Sequence, residues 1–74
     1  MTSTETMLLN QFGVLLLSLE QVAQILDRSP HGLRITLSGE NELSRRLRPA
    51  RRKIGRRVLF SVNEVARFID ESQG

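Results

Sequence analysis

A chain of 74 residues is expected to form one small domain. With no cysteine and a single histidine, disulfides, thiolate metal sites and a cysteine nucleophile are excluded, and neither a structural zinc site nor any other cofactor is expected. A hydrophobic share of 39% against 26% charged residues suits a folded soluble domain rather than a disordered tail, and so small a core makes self-association or partner binding an expectation.

The formal net charge is +3, but its distribution says more than its total. Eight basic residues, Arg45, Arg46, Arg48, Arg51, Arg52, Lys53, Arg56 and Arg57, fall in one acid-free stretch, and the rest of the chain holds three basic and eight acidic residues. A basic third quarter with acidic flanks is the pattern of a molecule that turns one face to a polyanion; the plain alternative is a solvated charged face. Ten of the eleven cations are arginine, which favours planar, bidentate contact with phosphate or guanine. Tryptophan and tyrosine are absent and the aromatics are Phe12, Phe60 and Phe68, which argues against single-strand binding by base stacking.

In chain order, residues 1–17 read as an N-terminal arm. Leu8, Leu9 and Phe12 share one face of a helix over residues 4–12, Gly13 is a plausible stop, and residues 14–17 read as a short buried extended piece. The apolar run is not expected to be a signal sequence: Asn10 and Gln11 interrupt it, Glu5 precedes it and no cationic segment leads it. A cytoplasmic, nucleoid-associated protein with no membrane partner is the resulting expectation.

Residues 18–74 read as the functional domain. Ser18 with Gln21 is a capping box, and Leu19, Val22, Ala23, Ile25 and Leu26 form the apolar stripe of the helix it opens. Asp27 and Arg28 end that helix. Ser29 caps a second one, with Pro30 in its first turn and Gly39 as its stop. Leu33 and Leu37, one turn apart, dock it on the first; a strand over residues 34–37 is the competing reading, because Gly32, Ile35 and Thr36 are poor helix formers. Residues 40–47 hold one or two helical turns, closed by Pro49. Residues 51–54 and 57–60 then flank Gly55 and Arg56 as a β-hairpin, with Ile54, Val58 and Phe60 as its buried side. Ser61 with Glu64 predicts a second capping box, and Val62, Val65, Ala66 and Ile69 the last amphipathic helix.

The two helices joined by Asp27, Arg28 and Ser29 match a helix-turn-helix, in which the first braces the second in a DNA major groove. The N-terminus of the second helix would direct backbone N–H groups at phosphate. Pro30, His31, Arg34 and Ser38 share the face opposite Leu33 and Leu37. Arg34 is the candidate for bidentate pairing with guanine, and His31 for a phosphate or a base. The cations of the hairpin would follow the phosphate backbone or enter the adjacent minor groove. Lys53, Arg56 and Arg57 are the leading contacts, with Arg51, Arg52, Arg45, Arg46 and Arg48 as contributors.

The segment LLSLEQVAQILDRS and, further on, KIGRRVLFSVNEVARFI resemble the excisionase-type, MerR-like winged helix-turn-helix proteins over residues 16–70. The resemblance implies a mostly α fold of three or four short helices with a two-stranded wing. It also implies a sequence-specific double-stranded DNA-binding protein, either a recombination directionality factor or a small transcriptional regulator of a mobile element. Ser29 to Arg34 would open its recognition helix and Gly55 to Arg57 would form its wing tip. Implied partners are double-stranded DNA, further copies of the chain on adjacent sites, and a recombinase or polymerase. Arg28, Gly32 and the long link over residues 40–50 depart from the family pattern.

A second reading is a protein-interaction module, of antirepressor or toxin-neutralising type, that docks through Leu8, Leu9, Phe12 and residues 14–17. No His–Cys, Ser–His–Asp or paired-carboxylate cluster recommends an enzyme.

Overall fold

A computed structural model of the chain describes residues 3–72. The elements run α1 (Ser3–Phe12), β1 (Leu16–Leu17), α2 (Leu19–Ile25), α3 (Pro30–Ser38), α4 (Glu42–Leu47), a 3-10 turn (Arg48–Ala50), β2 (Arg51–Ile54), β3 (Arg57–Ser61) and α5 (Val62–Glu71). The protein is mostly helical with a small antiparallel sheet in the order β1-β3-β2. The sheet has three strands rather than the two expected, because Leu16 and Leu17 pair with Ser61 and Phe60. Among the described residues no helix is long and apolar enough to cross a membrane.

Local chemistry accounts for most boundaries. Gly13, at φ +68°, ends α1, and its N–H donates to the Leu9 carbonyl at 2.8 Å. The extended piece after it is less buried than expected: Leu17 is fully buried, but Val14 is 36% and Leu15 77% exposed. A two-residue edge strand turns only alternate side chains inward, so a continuous apolar run cannot all be covered. The Ser18 capping box forms in both directions, with Gln21 N–H donating to Ser18 Oγ at 3.1 Å and Ser18 N–H to Gln21 Oε1 at 2.9 Å.

The turn between α2 and α3 is a Schellman motif. Asp27 sits in the left-handed region at φ 57°, its N–H reaches the Gln24 carbonyl, and the Arg28 N–H reaches the Ala23 carbonyl at 2.9 Å. Ser29 Oγ then accepts from Gly32 N–H at 3.0 Å and opens α3. The competing strand over residues 34–37 does not form. The Ser29 cap and burial of Leu33 outweigh weak helix propensity, and the Thr36 hydroxyl donates back to the Gly32 carbonyl at 3.0 Å.

Residues 40–50 fold into α4 and the 3-10 turn. Asn41 caps α4 by accepting from Ser44 N–H at 2.8 Å and donates its own amide to the Thr36 carbonyl at 2.7 Å, which ties the two helices together. Leu47 is buried. The following hairpin turns on Gly55 at φ +60°, and Arg56 is not in the positive-φ region. That is the sign pattern of a type II′ turn, which requires glycine at its first central position.

Two expectations fail here. Ile54 is 54% exposed instead of buried. The two-residue turn pairs Ile54 with Arg57 and Lys53 with Val58, so Ile54 lies on the face opposite Val58 and Phe60. Nor does Ser61 form a capping box: it makes no side-chain cap bond, its hydroxyl donates to Asn63 Oδ1, and Glu64 turns to Arg67 at 4.0 Å. Ser61 is also the last residue of β3 and paired with Leu16, so its backbone is held by the sheet.

The core gathers Leu17 from β1, Val22 and Ala23 from α2, Leu33 from α3, Phe60 from β3, and Val65 and Ala66 from α5. α1 packs on α5 and contributes Leu8, while Thr4 Oγ1 donates to Asp70 Oδ1 at 2.5 Å. Leu8→Ala is therefore expected to lower the unfolding free energy by about 2–4 kcal/mol in a urea titration. Met7→Ala, one residue away but 68% exposed, should change it by less than about 0.5 kcal/mol.

Candidate nucleic-acid interface

The C-terminal half of α3, the start of α2 and the hairpin enclose an open groove of about 680 Å³. Arg34 enters it from α3, Arg48 from the 3-10 turn, Arg51 from β2, and Arg56 and Arg57 from the hairpin turn and the start of β3. Register explains the contribution of β2. Arg51 stands directly opposite Phe60 and so shares the core-facing side of the sheet, but it lies on an edge strand, where that side runs out beyond the core. The floor between these cations is apolar, with Leu37, Leu47, Val58 and Phe60.

Glu20 and Glu40 also line the groove. Glu40 lies 3.6 Å from Arg48, with side chains 81% and 60% exposed, so this pair is worth little and is readily exchanged. Arg34, Arg51, Arg56 and Arg57 make no ion pair or side-chain hydrogen bond among the described residues. Four guanidinium groups on one concavity, with no such partner inside the described fold, form a local positive potential suited to an anion carrying several charges.

The other cations of the basic stretch divide by role. Arg46 leaves the groove entirely: its guanidinium lies 4.9 Å from the centre of the Phe68 ring and 3.9 Å from the Glu71 carboxylate, clamping α4 to α5. The ring contact and the ion pair hold it against α5, away from the cations that line the groove. Arg52 folds back on its own backbone, donating to the Pro49 carbonyl at 2.6 Å and to the Arg51 carbonyl at 3.0 Å. Arg45 and Lys53 are exposed but do not line the groove.

Ser29, Pro30, His31, Arg34 and Ser38 are all exposed. Of these, only Arg34 and Ser38 border the groove; Ser29, Pro30 and His31 sit at the other end of α3. The Ser38 hydroxyl donates to the Ile35 carbonyl at 2.7 Å, which leaves it as an acceptor only. The helix start offers fewer N–H groups than expected. Pro30 has none, Ser29 Oγ takes that of Gly32 and the Ser29 carbonyl that of Leu33, so His31 alone supplies one.

The outward face of α3 holds one residue that apolar periodicity does not single out. Ile35 is 59% exposed. It lies two positions from both Leu33 and Leu37, about 160° around the helix from each, so it points most directly away from the core. That spacing is present in the sequence, but an isoleucine is read by default as a core residue. The apolar arm divides: Leu8 and Leu17 are buried and Leu9 and Phe12 pack against the core, whereas Val14 and Leu15 stay exposed. No protein-family model matches the chain, and neither a curated protein nor a solved structure is significantly similar to it.

The division of the basic stretch is measurable. Arg46→Ala should lower the unfolding free energy by about 0.5–1.5 kcal/mol as the ring interaction and ion pair disappear, read by urea titration. Arg45→Ala, on the same helix but turned to solvent, should leave it within about 0.5 kcal/mol.

Proposed function

We propose that the chain is a sequence-specific double-stranded DNA-binding protein without catalytic activity, built as a winged helix-turn-helix of the excisionase-like kind. Its role on this reading is recombination directionality or transcriptional control of a mobile element, from within the cytoplasm. The convergence of Arg34 with Arg51, Arg56 and Arg57 on one groove, none of them ion-paired among the described residues, carries the proposal.

The parts suit a duplex in a particular way. A major groove about 12 Å wide admits one α-helix, and α3 presents an exposed face to fill it while α2 braces it from behind. The groove between α3 and the hairpin then receives the phosphodiester strand that borders that major groove. Arg51, Arg56 and Arg57 contact phosphates there, and Arg34 is near enough to the helix face to reach a guanine edge. The hairpin tip, with Lys53 beside it, extends over the neighbouring minor groove. Charge from the hairpin supplies affinity and register, and the helix supplies discrimination. Several copies on adjacent sites would cover a longer tract, which fits so small a module.

Anisotropy titrations on a selected duplex and on a random duplex test this assignment. The double variant Arg56→Ala, Arg57→Ala should weaken binding to both, and the slope of log affinity against log salt should become shallower by about 0.9 for each phosphate no longer neutralised. Arg34→Ala should instead narrow the gap between the two duplexes by about 1–3 kcal/mol. Equal losses on both duplexes from both variants would overturn the division of labour. Elution from DNA and from heparin at the same salt by the native chain, with no preferred duplex, would overturn sequence-specific binding.

A further inference from the structure

We infer that Ile35 is a specificity-determining residue that reads the 5-methyl group of a thymine next to the base pair contacted by Arg34. This inference rests on the reading of α3 as the helix that enters the major groove.

The folding of α3 does not call for an isoleucine at this position. Packing of the helix is complete without Ile35, because Leu33 is fully buried and Leu37 and Thr36 are partly covered. Isoleucine is a poor choice for an exposed helix position on propensity alone, since alanine, lysine or glutamine would serve the helix better. The other outward positions, His31, Arg34 and Ser38, are polar, so Ile35 stands as one aliphatic side chain within a polar face.

Single exposed aliphatic residues are common on protein surfaces, and exposure alone would say nothing. Position is what distinguishes this one. Ile35 adjoins Arg34, the only cation that α3 sends into the arginine-lined groove, and it projects further from the core than Arg34 does. Ile35 does not itself line the groove, so a polyanion seated there meets it where the outward face of α3 enters the ligand. In a DNA major groove the surface met there is a row of base edges, where thymine alone among the four bases presents a methyl group. A β-branched side chain in a helix is almost confined to one χ1 rotamer, so its methyl groups are already placed and little freedom is lost on contact. Arg34 and Ile35 are consecutive on α3, so the bases they reach are expected to lie close together along the groove. The expected sequence element is therefore a guanine for Arg34 beside a thymine for Ile35.

The test uses the full chain and a duplex library. After selection from random sequence, each thymine of the preferred site is replaced in turn by deoxyuridine, which removes only the methyl group. At one position, adjacent to the guanine whose selection disappears in Arg34→Ala, the substitution should weaken binding roughly fourfold, the effect of one methyl-sized group kept in water. The Ile35→Ala variant should lose a similar factor on the unmodified site and become indifferent to deoxyuridine at that position. Cytosine methylated at C5, placed at that position in the same strand, should regain part of the loss only when Ile35 is present. A thermal unfolding curve of Ile35→Ala no lower than that of the native chain shows that the helix is intact, since the change raises helix propensity at an exposed site. Should a preferred site emerge but no thymine show this coupling to Ile35, the inference is overturned and the DNA-binding reading stands. If no duplex is enriched at any salt concentration, both are overturned.

Discussion

Burial of a single ring, Phe60, is the constraint on which the placement of charge in this protein depends. Phe60 lies on the central strand, between Leu17 of β1 and Arg51 of β2, and is almost wholly buried. Because side chains alternate along a strand, fixing that ring inward fixes the face of every residue on the hairpin. Arg51 and Lys53 are held on the core side of β2, whereas Arg52 and Ile54 face away. A slip of one residue would exchange these sets and replace Arg51 at the groove with Arg52. The place of Arg51 at the groove is thus a by-product of core packing, whereas Arg56 and Arg57 reach the groove from the turn and the first residue of β3.

The second determinant is the segment between α3 and the hairpin. Had residues 40–50 been a loose loop, the cations of that stretch would have formed one diffuse cloud. As a capped helix it sorts them instead. Adjacent residues on a helix point about 100° apart, so Arg46 meets Phe68 and Glu71 of α5 while Arg45 is turned to solvent. Asn41 and Ser44 bond back to carbonyls at the end of α3, at Thr36 and Leu37, so α4 holds the C-terminal end of the groove in place. Residues 40–50 therefore act as a strut between the end of α3 and the 3-10 turn that leads into the hairpin.

What the sequence made legible was local. The Ser18 box, the Ser29–Pro30 start, the Gly13 stop and the glycine turn of the hairpin each depend on residues within four positions of one another, and all appear where their chemistry places them. What was hidden depended on distant partners. The third strand required Leu16 and Leu17 to find β3, more than forty residues away. The capping role of Ser61 was lost to the sheet that holds its backbone and to Arg67, which draws Glu64 away. Arg46 could not be separated from its neighbours by composition, because its ring partner lies on another helix. For the site, the cluster of cations was evident from charge counting, but only the fold distinguishes those that converge from those that brace.

Stability and the candidate site are linked by the same arginines. A chain of this length buries a modest core, and its net stability is a small difference between large terms. Crowding four guanidinium groups without ion pairs around one hollow costs part of that margin through mutual repulsion. Among the described residues no acid pairs with them, although the chain has eight acidic residues; the neighbouring Glu40 is engaged by Arg48, while Glu64, Asp70 and Glu71 border the α1–α5 side. A fold that only had to be stable would interleave these charges. With Glu20 and Glu40 the two acids that border the groove against five arginines, the native state keeps an unmet demand for negative charge, so an anion that binds only the folded form would stabilise it by mass action. The proposed DNA ligand would meet that demand with a regularly spaced row of phosphates.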